Sequence, residues 1–185
     1  MEITFYHGTI EEYGRKIYEG ESFQFSDGEE HLLGKGVYLY DDPKHAAVWA
    51  KMKAKYNSGK AMILKVMVDV NEDDYLDLDS RDGQDFFFQQ RDIFFAYTMD
   101  KGVQNIKNYY TDSQFCDFLV QITSDTMFSK TFVYIHPRDR NKIPVRHTNQ
   151  KQTDRNITRH FRTEKQYCLK DLDLITDIDI YELSN

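Results

Sequence analysis

Gly34-Lys35-Gly36-Val37-Tyr38-Leu39-Tyr40-Asp41-Asp42-Pro43-Lys44-His45-Ala46-Ala47-Val48-Trp49-Ala50 decides how this chain reads, together with Tyr6-His7-Gly8-Thr9 some 25 residues upstream. The glycines at 34 and 36 hinge the entry to a short strand that ends at Tyr40. Asp41-Asp42-Pro43 then starts a helix, with an aspartate N-cap and proline at the first helical position. Ala46, Trp49, Met52 or Lys53, and Tyr56 share one side of that helix. Ile3–His7 reads as a strand ending in a His-Gly step. In this order the segments make a cradle for a flat ring, such as one carried on a dinucleotide.

Outward from this stretch, Thr9-Ile10-Glu11-Glu12 has the pattern of a capping box, with Thr9 as N-cap and Glu12 reaching back. Ile10, Tyr13 and Ile17 form the apolar face of the helix that follows, and Gly20 stops it. Ala61–Val70 is apolar enough to be a central strand. Eight of the thirteen phenylalanines fall in residues 80–128, among them Phe115 and Phe118 at helical spacing with Leu119 and Ile122. That region reads as a helical insertion packed on a sheet. Thr131–Ile135, Gln166–Leu169 and Leu172–Tyr181 read as strands. The class is α+β, in one domain spanning residues 1–185.

At 185 residues the chain is long enough to bury a core unaided. Its two cysteines, Cys116 and Cys168, are too few for a disulfide framework and read as buried small apolar residues. No run of about 18 apolar residues is present, and no charged-then-apolar leader opens the sequence. The expected location is cytoplasmic. The five histidines besides His7 (His31, His45, His136, His147 and His160) show no metal spacing, and no metal is expected. Net charge is −7, unevenly spread. Pro137–Thr163 carries eight basic and two acidic residues, a local +6, against −13 for the remainder. This segment lacks apolar periodicity and reads as one or two long loops able to capture phosphate.

Tyr6-His7-Gly8-Thr9, Gly34-Lys35-Gly36-Val37-Tyr38 and Gln166-Tyr167-Cys168-Leu169 resemble, in order, the three motifs of the diphtheria-toxin-like ADP-ribosyltransferase superfamily. That branch includes poly(ADP-ribose) polymerases and many bacterial toxins. The resemblance implies a split antiparallel β-sheet core flanked by helices, with NAD as co-substrate. Tyr38 and Trp49 match the two ring-stacking positions, tryptophan standing where tyrosine is usual. The family's glutamate is replaced by Gln166, as in some toxin-like bacterial relatives, and Glu164 stands two residues earlier. The substitution favours transfer of a single ADP-ribose over chain elongation. A mono-ADP-ribosyltransferase (a glycosyltransferase moving a pentosyl group) is implied, as a toxin or phage-defence effector with a neutralising antitoxin.

Breaking the nicotinamide–ribose bond passes through an oxocarbenium-like state. The resemblance gives His7, Tyr38 and Gln166 or Glu164 the catalytic roles. His7 would bond a hydroxyl of the adenosine ribose, and Gln166 or Glu164 the 2′-hydroxyl of the nicotinamide ribose. Gly8, Thr9, Gly36, Tyr38 and Trp49 complete the NAD site, with Gly8 allowing its backbone close to the carboxamide. Arg155, Arg159 and Arg162, in the loop before the third motif, would meet the acceptor. Single-stranded RNA or DNA suits those cations, a protein acceptor is the next reading, and pairing with the acidic body or an acidic inhibitor is a third. NAD glycohydrolysis and a non-enzymatic ADP-ribose- or RNA-binding module remain the competing functions. His7 also admits the plain role of a satisfied strand-end histidine, Trp49 and Tyr38 that of core packing, and Gln166 that of a surface strand residue.

Overall fold

The computed structural model describes residues 1–26, 31–102, 111–133, 143–145, 157–159 and 163–182. It is an α+β protein. In chain order its elements are β1 (Glu2–Ile10), α1 (Glu11–Tyr18), β2 (Val37–Leu39), α2 (Pro43–Tyr56), β3 (Ala61–Asp69), β4 (Tyr75–Asp77), α3 (Arg81–Asp100), α4 (Asp112–Ile122), β5 (Met127–Val133), β6 (Ile143–Val145), β7 (Ile157–Arg159), β8 (Thr163–Leu169) and β9 (Ile175–Ile180).

The continuous apolar run of β3 makes it the middle of a three-stranded antiparallel sheet in the order β1-β3-β9. Phe5 lies opposite Val66 and His7 opposite Leu64. A second sheet has the order β2-β8-β5-β4. Here β8 is antiparallel to both neighbours, with Tyr38 opposite Cys168 and Lys130 opposite Gln166, while β4 runs parallel to β5. The two sheets meet at one isolated antiparallel bridge, Tyr6 with Tyr40. Tyr6 N–H donates to the Tyr40 carbonyl at 2.7 Å and the reverse bond is 2.9 Å. β6 and β7 form a separate two-stranded ladder.

Side-chain alternation then sorts the core. Phe5, Leu64, Val66 and Val68 of the first sheet pack with Val37, Leu39, Met127 and Leu169 of the second. The rings of Phe5 and Tyr167 are 4.6 Å apart in the same layer. The opposite faces take the helices. Phe87, Phe115, Cys116 and Leu119 of α3 and α4 cover Phe128 and Cys168. Ala46 and Ala47 of α2 cover Tyr40 and Ile63 beside Tyr6, Trp49 and Tyr181. Both cysteines are buried and unbridged.

Several expectations are met in form. Asp42 caps α2, accepting from the Lys44 N–H, with Pro43 first in the helix. Helices α3 and α4 occupy the phenylalanine-rich region, Ser80 capping the first and a Thr111–Gln114 capping box the second.

Others are corrected. No capping box forms at Thr9, because β1 runs on to Ile10 and Thr9 is laddered to Met62 and buried. Ile10 takes the cap position without a side-chain bond. Glu11 and Glu12 pair with Arg15 and Lys16 one turn on. Phe128 belongs to β5, which begins at Met127 and not Thr131. Leu172–Leu174 is a 3-10 turn capped by Asp171, and β9 starts only after it. Met52 and Tyr56 face outward from α2 with Val48, leaving Trp49 and the alanines on the packed side. Within the basic segment, the described residues 143–145 and 157–159 are strands and not loop.

Gly8 shows why β1 and α2 approach so closely. A β-carbon built there would stand 2.1 Å from the Ala46 carbonyl oxygen and 3.0 Å from Ala50 N. Gly8→Ala must push the helix off the strand, and overpacking of this kind costs about 1–3 kcal/mol. We expect a loss at or above the top of that range because the clash is with backbone. Urea unfolding of the variant measures it.

Candidate functional site

A cleft of about 330 Å³ opens where the two sheets meet. Its wall carries His7 and Thr9 from β1, Tyr38 from β2, Trp49 and Lys53 from α2, and Gln166 from β8. Residues separated by up to 159 positions are thus brought to one cavity. Tyr13, Lys16 and Ile17 of α1 line it too, and the segment between α1 and β2 adds Phe23, Ser26 and His31.

His7 is placed by alternation: Tyr6 and Gly8 face α2, so His7 faces away from it. Its Nδ1 is 2.9 Å from the Tyr38 carbonyl oxygen. A carbonyl only accepts, so Nδ1 carries the proton and Nε2 the lone pair. Phe23 packs edge-on against the ring at 5.2 Å. Burial, and secondarily the nearby Lys53 ammonium, push the His7 pKa down to about 4, against the opposing effect of the Tyr38 carbonyl bond. The ring is neutral at pH 7.

Tyr38 has two uses for one side chain. Its hydroxyl donates to the Gly34 carbonyl at 2.8 Å and accepts from the Leu33 N–H at 2.9 Å. It clamps the glycine turn that leads into its own strand. Burial drives the hydroxyl pKa well above the ordinary tyrosine value. The ring lines the cleft and packs on His31, with centroids 5.2 Å apart and planes tilted by 34°. Gly36 allows β2 to approach β8, since a β-carbon there would meet Cys168 Sγ at 2.5 Å and the Leu169 carbonyl oxygen at 2.6 Å.

Trp49 is half-buried, one edge on the Tyr40–Ile63 cluster and another on the cleft. Lys53, one turn later, places its ammonium 5.7 Å from the Trp49 ring centre. Burial lowers the Lys53 pKa, and among the described residues no carboxylate pairs with it. Gln166 is 5% exposed, and its Nε2 donates to Glu164 Oε1 at 3.1 Å. Both lie on the same face of β8, but only Gln166 lines the cleft.

The sequence-predicted residues therefore divide. His7, Thr9, Gly36, Tyr38, Trp49 and Gln166 line one cavity. Glu164 touches it through Gln166. Gly8 is not among the lining residues, and its missing side chain is accounted for by α2. Arg155 and Arg162 lie outside the described residues, as does the side chain of Arg159, whose backbone pairs with Ile143 in β7. Sequence reasoning missed Ser26 and His31 altogether, and left Lys53 tied with Met52. The i, i+4 spacing from Trp49 was the available signal for Lys53. Among the described residues, no group of three or more His, Cys, Asp or Glu side chains is placed to hold a metal ion, and no helix is long and apolar enough to cross a membrane.

No protein-family model matches the chain, and no solved structure matches it. An uncharacterized protein of Methanocaldococcus jannaschii is 25% identical over 191 residues, covering 99% of this chain and 89% of that protein. The likeness runs end to end and is not confined to one motif.

The His7 environment has a pH consequence. The folded-state pKa, about 4, lies below the ordinary value of 6.5. Between these values the unfolded chain takes up a proton that the folded chain does not, so stability is full above 6.5 and falls as pH drops toward 4. From pH 7 to pH 5 the loss from this residue is about 2 kcal/mol. His7→Asn, which keeps a donor for the Tyr38 carbonyl, is expected to remove that component, read from urea unfolding of both proteins at the two pH values.

Proposed function

We propose that this chain is an NAD-dependent mono-ADP-ribosyltransferase that moves one ADP-ribosyl group to a macromolecule and releases nicotinamide. The observation that carries the reading is the convergence of His7, Tyr38, Trp49 and Gln166 on one cleft from four separate elements. The junction of two sheets at the isolated bridge between Tyr6 of β1 and Tyr40, just past β2, also fits the split sheet of that superfamily.

Four features of the cleft support NAD as the co-substrate. Its volume is at the lower end of ligand clefts, which suits the nicotinamide–ribose half better than the whole dinucleotide. Tyr38 and Trp49 offer rings for the pyridine, worth about 0.5–1.5 kcal/mol per aromatic pair beyond burial. Lys53 offers the pyrophosphate a cation that, among the described residues, no carboxylate neutralises. His7 Nε2 offers a lone pair to a ribose hydroxyl. NAD supplies the glycosidic bond that is broken, and the residues orient it and exclude water.

Gln166 orients a ribose hydroxyl but, being neutral, does not stabilise positive charge on the sugar as a carboxylate does. Glu164 supplies that charge indirectly, polarising the Gln166 amide through the 3.1 Å bond. The pair acts as one unit in this reading, and the enzyme transfers once without elongating. The acceptor is a nucleic acid, with single-stranded RNA favoured over duplex, on the strength of the +6 segment that runs into β8. A protein acceptor is the second reading. A toxin or phage-defence role with a neutralising antitoxin partner, in the cytoplasm, accompanies the proposal.

Labelled NAD incubated with the protein and total RNA, DNA or protein tests it. Nicotinamide release with label in one macromolecule supports transfer and names the acceptor. Free ADP-ribose with no labelled macromolecule makes the protein a glycohydrolase, and binding without nicotinamide release makes it a recognition module. Glu164→Ala and Gln166→Ala are each expected to slow nicotinamide release, at least one of them by about 10²-fold. Losses of only a few-fold in both would sink the assignment of this pair.

A further inference from the structure

Helix α2 is apolar on two opposite sides, and one of them is exposed. Ala46, Ala47 and Ala50 are buried and seat the helix on β1 and β3. At about 100° per residue, Val48 and Met52 point the other way. With Tyr56 they recur every fourth residue in a row along the outer face, where Val48 is 65% and Tyr56 80% exposed. A surface helix with one covered side normally carries polar residues on the other. Three apolar side chains in line, spanning about 12 Å at 1.5 Å per residue, form instead a ridge of the kind that packs into the groove of a second helix.

The charge beside this ridge has one sign. The helix carries Lys44, Lys51, Lys53 and Lys55 and no acidic residue, in a chain of net charge −7. Lys53 turns to the cleft. Lys44, Lys51 and Lys55 fall within about 40° of one another along one flank of the ridge. All three are exposed, and among the described residues none of them has a carboxylate at ion-pair distance. Helix α1 treats its cations differently, since Arg15 and Lys16 are each paired with a glutamate one turn back.

We propose that the outer face of α2 is a docking surface for an acidic amphipathic helix of a partner protein. The partner's apolar stripe takes the ridge of Val48, Met52 and Tyr56, and its carboxylates lie along Lys44, Lys51 and Lys55. In paired helices an apolar seam gives affinity and the flanking charges choose the partner. A nucleic acid has no use for the aliphatic Val48 and Met52. A bilayer calls for a broad apolar face rich in tryptophan, phenylalanine or leucine, and this ridge is one side chain wide. The inference stands independently of the transferase reading, since none of these six residues lines the cleft. Trp49, the chain's one tryptophan, lies about 20° around the helix from Tyr56 and is half-buried. Its emission therefore reports on a helix seated on this face.

The probe is a tryptophan-free synthetic peptide of about 20 residues, an alanine-rich helix with a leucine stripe flanked by glutamates. A control peptide carries lysines in place of the glutamates. Titrated into the full chain, the glutamate peptide is expected to shift Trp49 emission saturably and to bind about tenfold or more tightly than the control. Met52→Glu is expected to weaken it by about tenfold or more, and Lys51→Glu with Lys55→Glu to reverse the preference between the two peptides. All three positions are exposed, so both variants are expected to keep the parent circular dichroism. No binding, equal binding of the two peptides, or binding that Met52→Glu leaves unchanged overturns the proposal. An emission shift with phosphatidylglycerol vesicles or a single-stranded oligonucleotide, abolished by the same substitutions, overturns it in favour of a membrane or a nucleic acid. A dimer of the chain alone in analytical ultracentrifugation, dissociated by Met52→Glu, overturns it in favour of a second copy.

Discussion

Two backbone hydrogen bonds, Tyr6 N–H to the Tyr40 carbonyl and Tyr40 N–H to the Tyr6 carbonyl, set the geometry on which the rest depends. They join the edge of one sheet to the edge of the other and fix which residues of β1 and β2 lie opposite. Since side chains alternate, a slip of one residue would turn His7 toward α2 and Gly8 toward the cleft. Gly8 could not then admit Ala46 to within contact of the strand. The register is thus defended by a close approach on one face while it presents an imidazole on the other. The His7 Nδ1 bond to the Tyr38 carbonyl extends the same seam by one side chain.

Two lysines show how the molecule separates structural charge from available charge. The Lys170 side chain is 4% exposed, and its ammonium donates to the Leu33 and Lys35 carbonyls at 2.7 and 2.6 Å and to Asp117 at 3.1 Å. Asp117 also accepts from the Lys35 N–H at 2.7 Å. Every donor of that cation has a partner, so its role is to hold the turn at 33–35 from below while the Tyr38 hydroxyl holds it from above. Breaking such a satisfied buried pair typically costs about 3–5 kcal/mol. Lys53 is also desolvated, yet it meets an aromatic ring and a neutral histidine and no carboxylate among the described residues. Desolvating a cation without an anion is unfavourable unless something else supplies the charge. The contrast leaves Lys53 as a cation on the cleft wall that no described carboxylate neutralises.

What was legible in the sequence followed from local chemistry. The apolar run of 61–70 declared a central strand because both its faces are covered, and Asp42-Pro43 declared a helix start because its cap is made within the helix itself. The motif residues were legible as a set, and six of them share the cleft. Failures came where tertiary pairing overrode a local pattern. Thr9 has the sequence of a cap, but its backbone is taken by the ladder to Met62. Phe128 has the company of helical phenylalanines, but β8 on one side and β4 on the other claim it as strand. The choice between Met52 and Lys53 turned on angle. At about 100° per residue, a position four beyond Trp49 lies about 40° from it and one three beyond lies about 60° away on the other side. Only the direction of the cleft decides between them. Ser26 and His31 carried no signal, because their meeting depends on a bridge to Gly36 that no periodicity describes.

The remaining physical link runs between charge and protonation. Lys53 helps hold the His7 pKa down, acting second to burial, so the imidazole and the ammonium compete for the same region of negative potential. An anion brought against Lys53 cancels that repulsion and adds an attraction, and the His7 pKa must rise. Linkage then requires the converse: protonating His7 tightens the hold on the anion by the same factor. Burial is the larger cause of the depression and persists in the bound state, so it opposes that rise. In the chain by itself the ring is uncharged at neutral pH. What it offers a bound sugar is the lone pair of Nε2, with the Tyr38 carbonyl holding its other nitrogen in the protonated form. A phosphate-bearing ligand placed along Lys53 thus finds its hydroxyl acceptor already set in the correct tautomer by the bond that closes the seam between the two sheets.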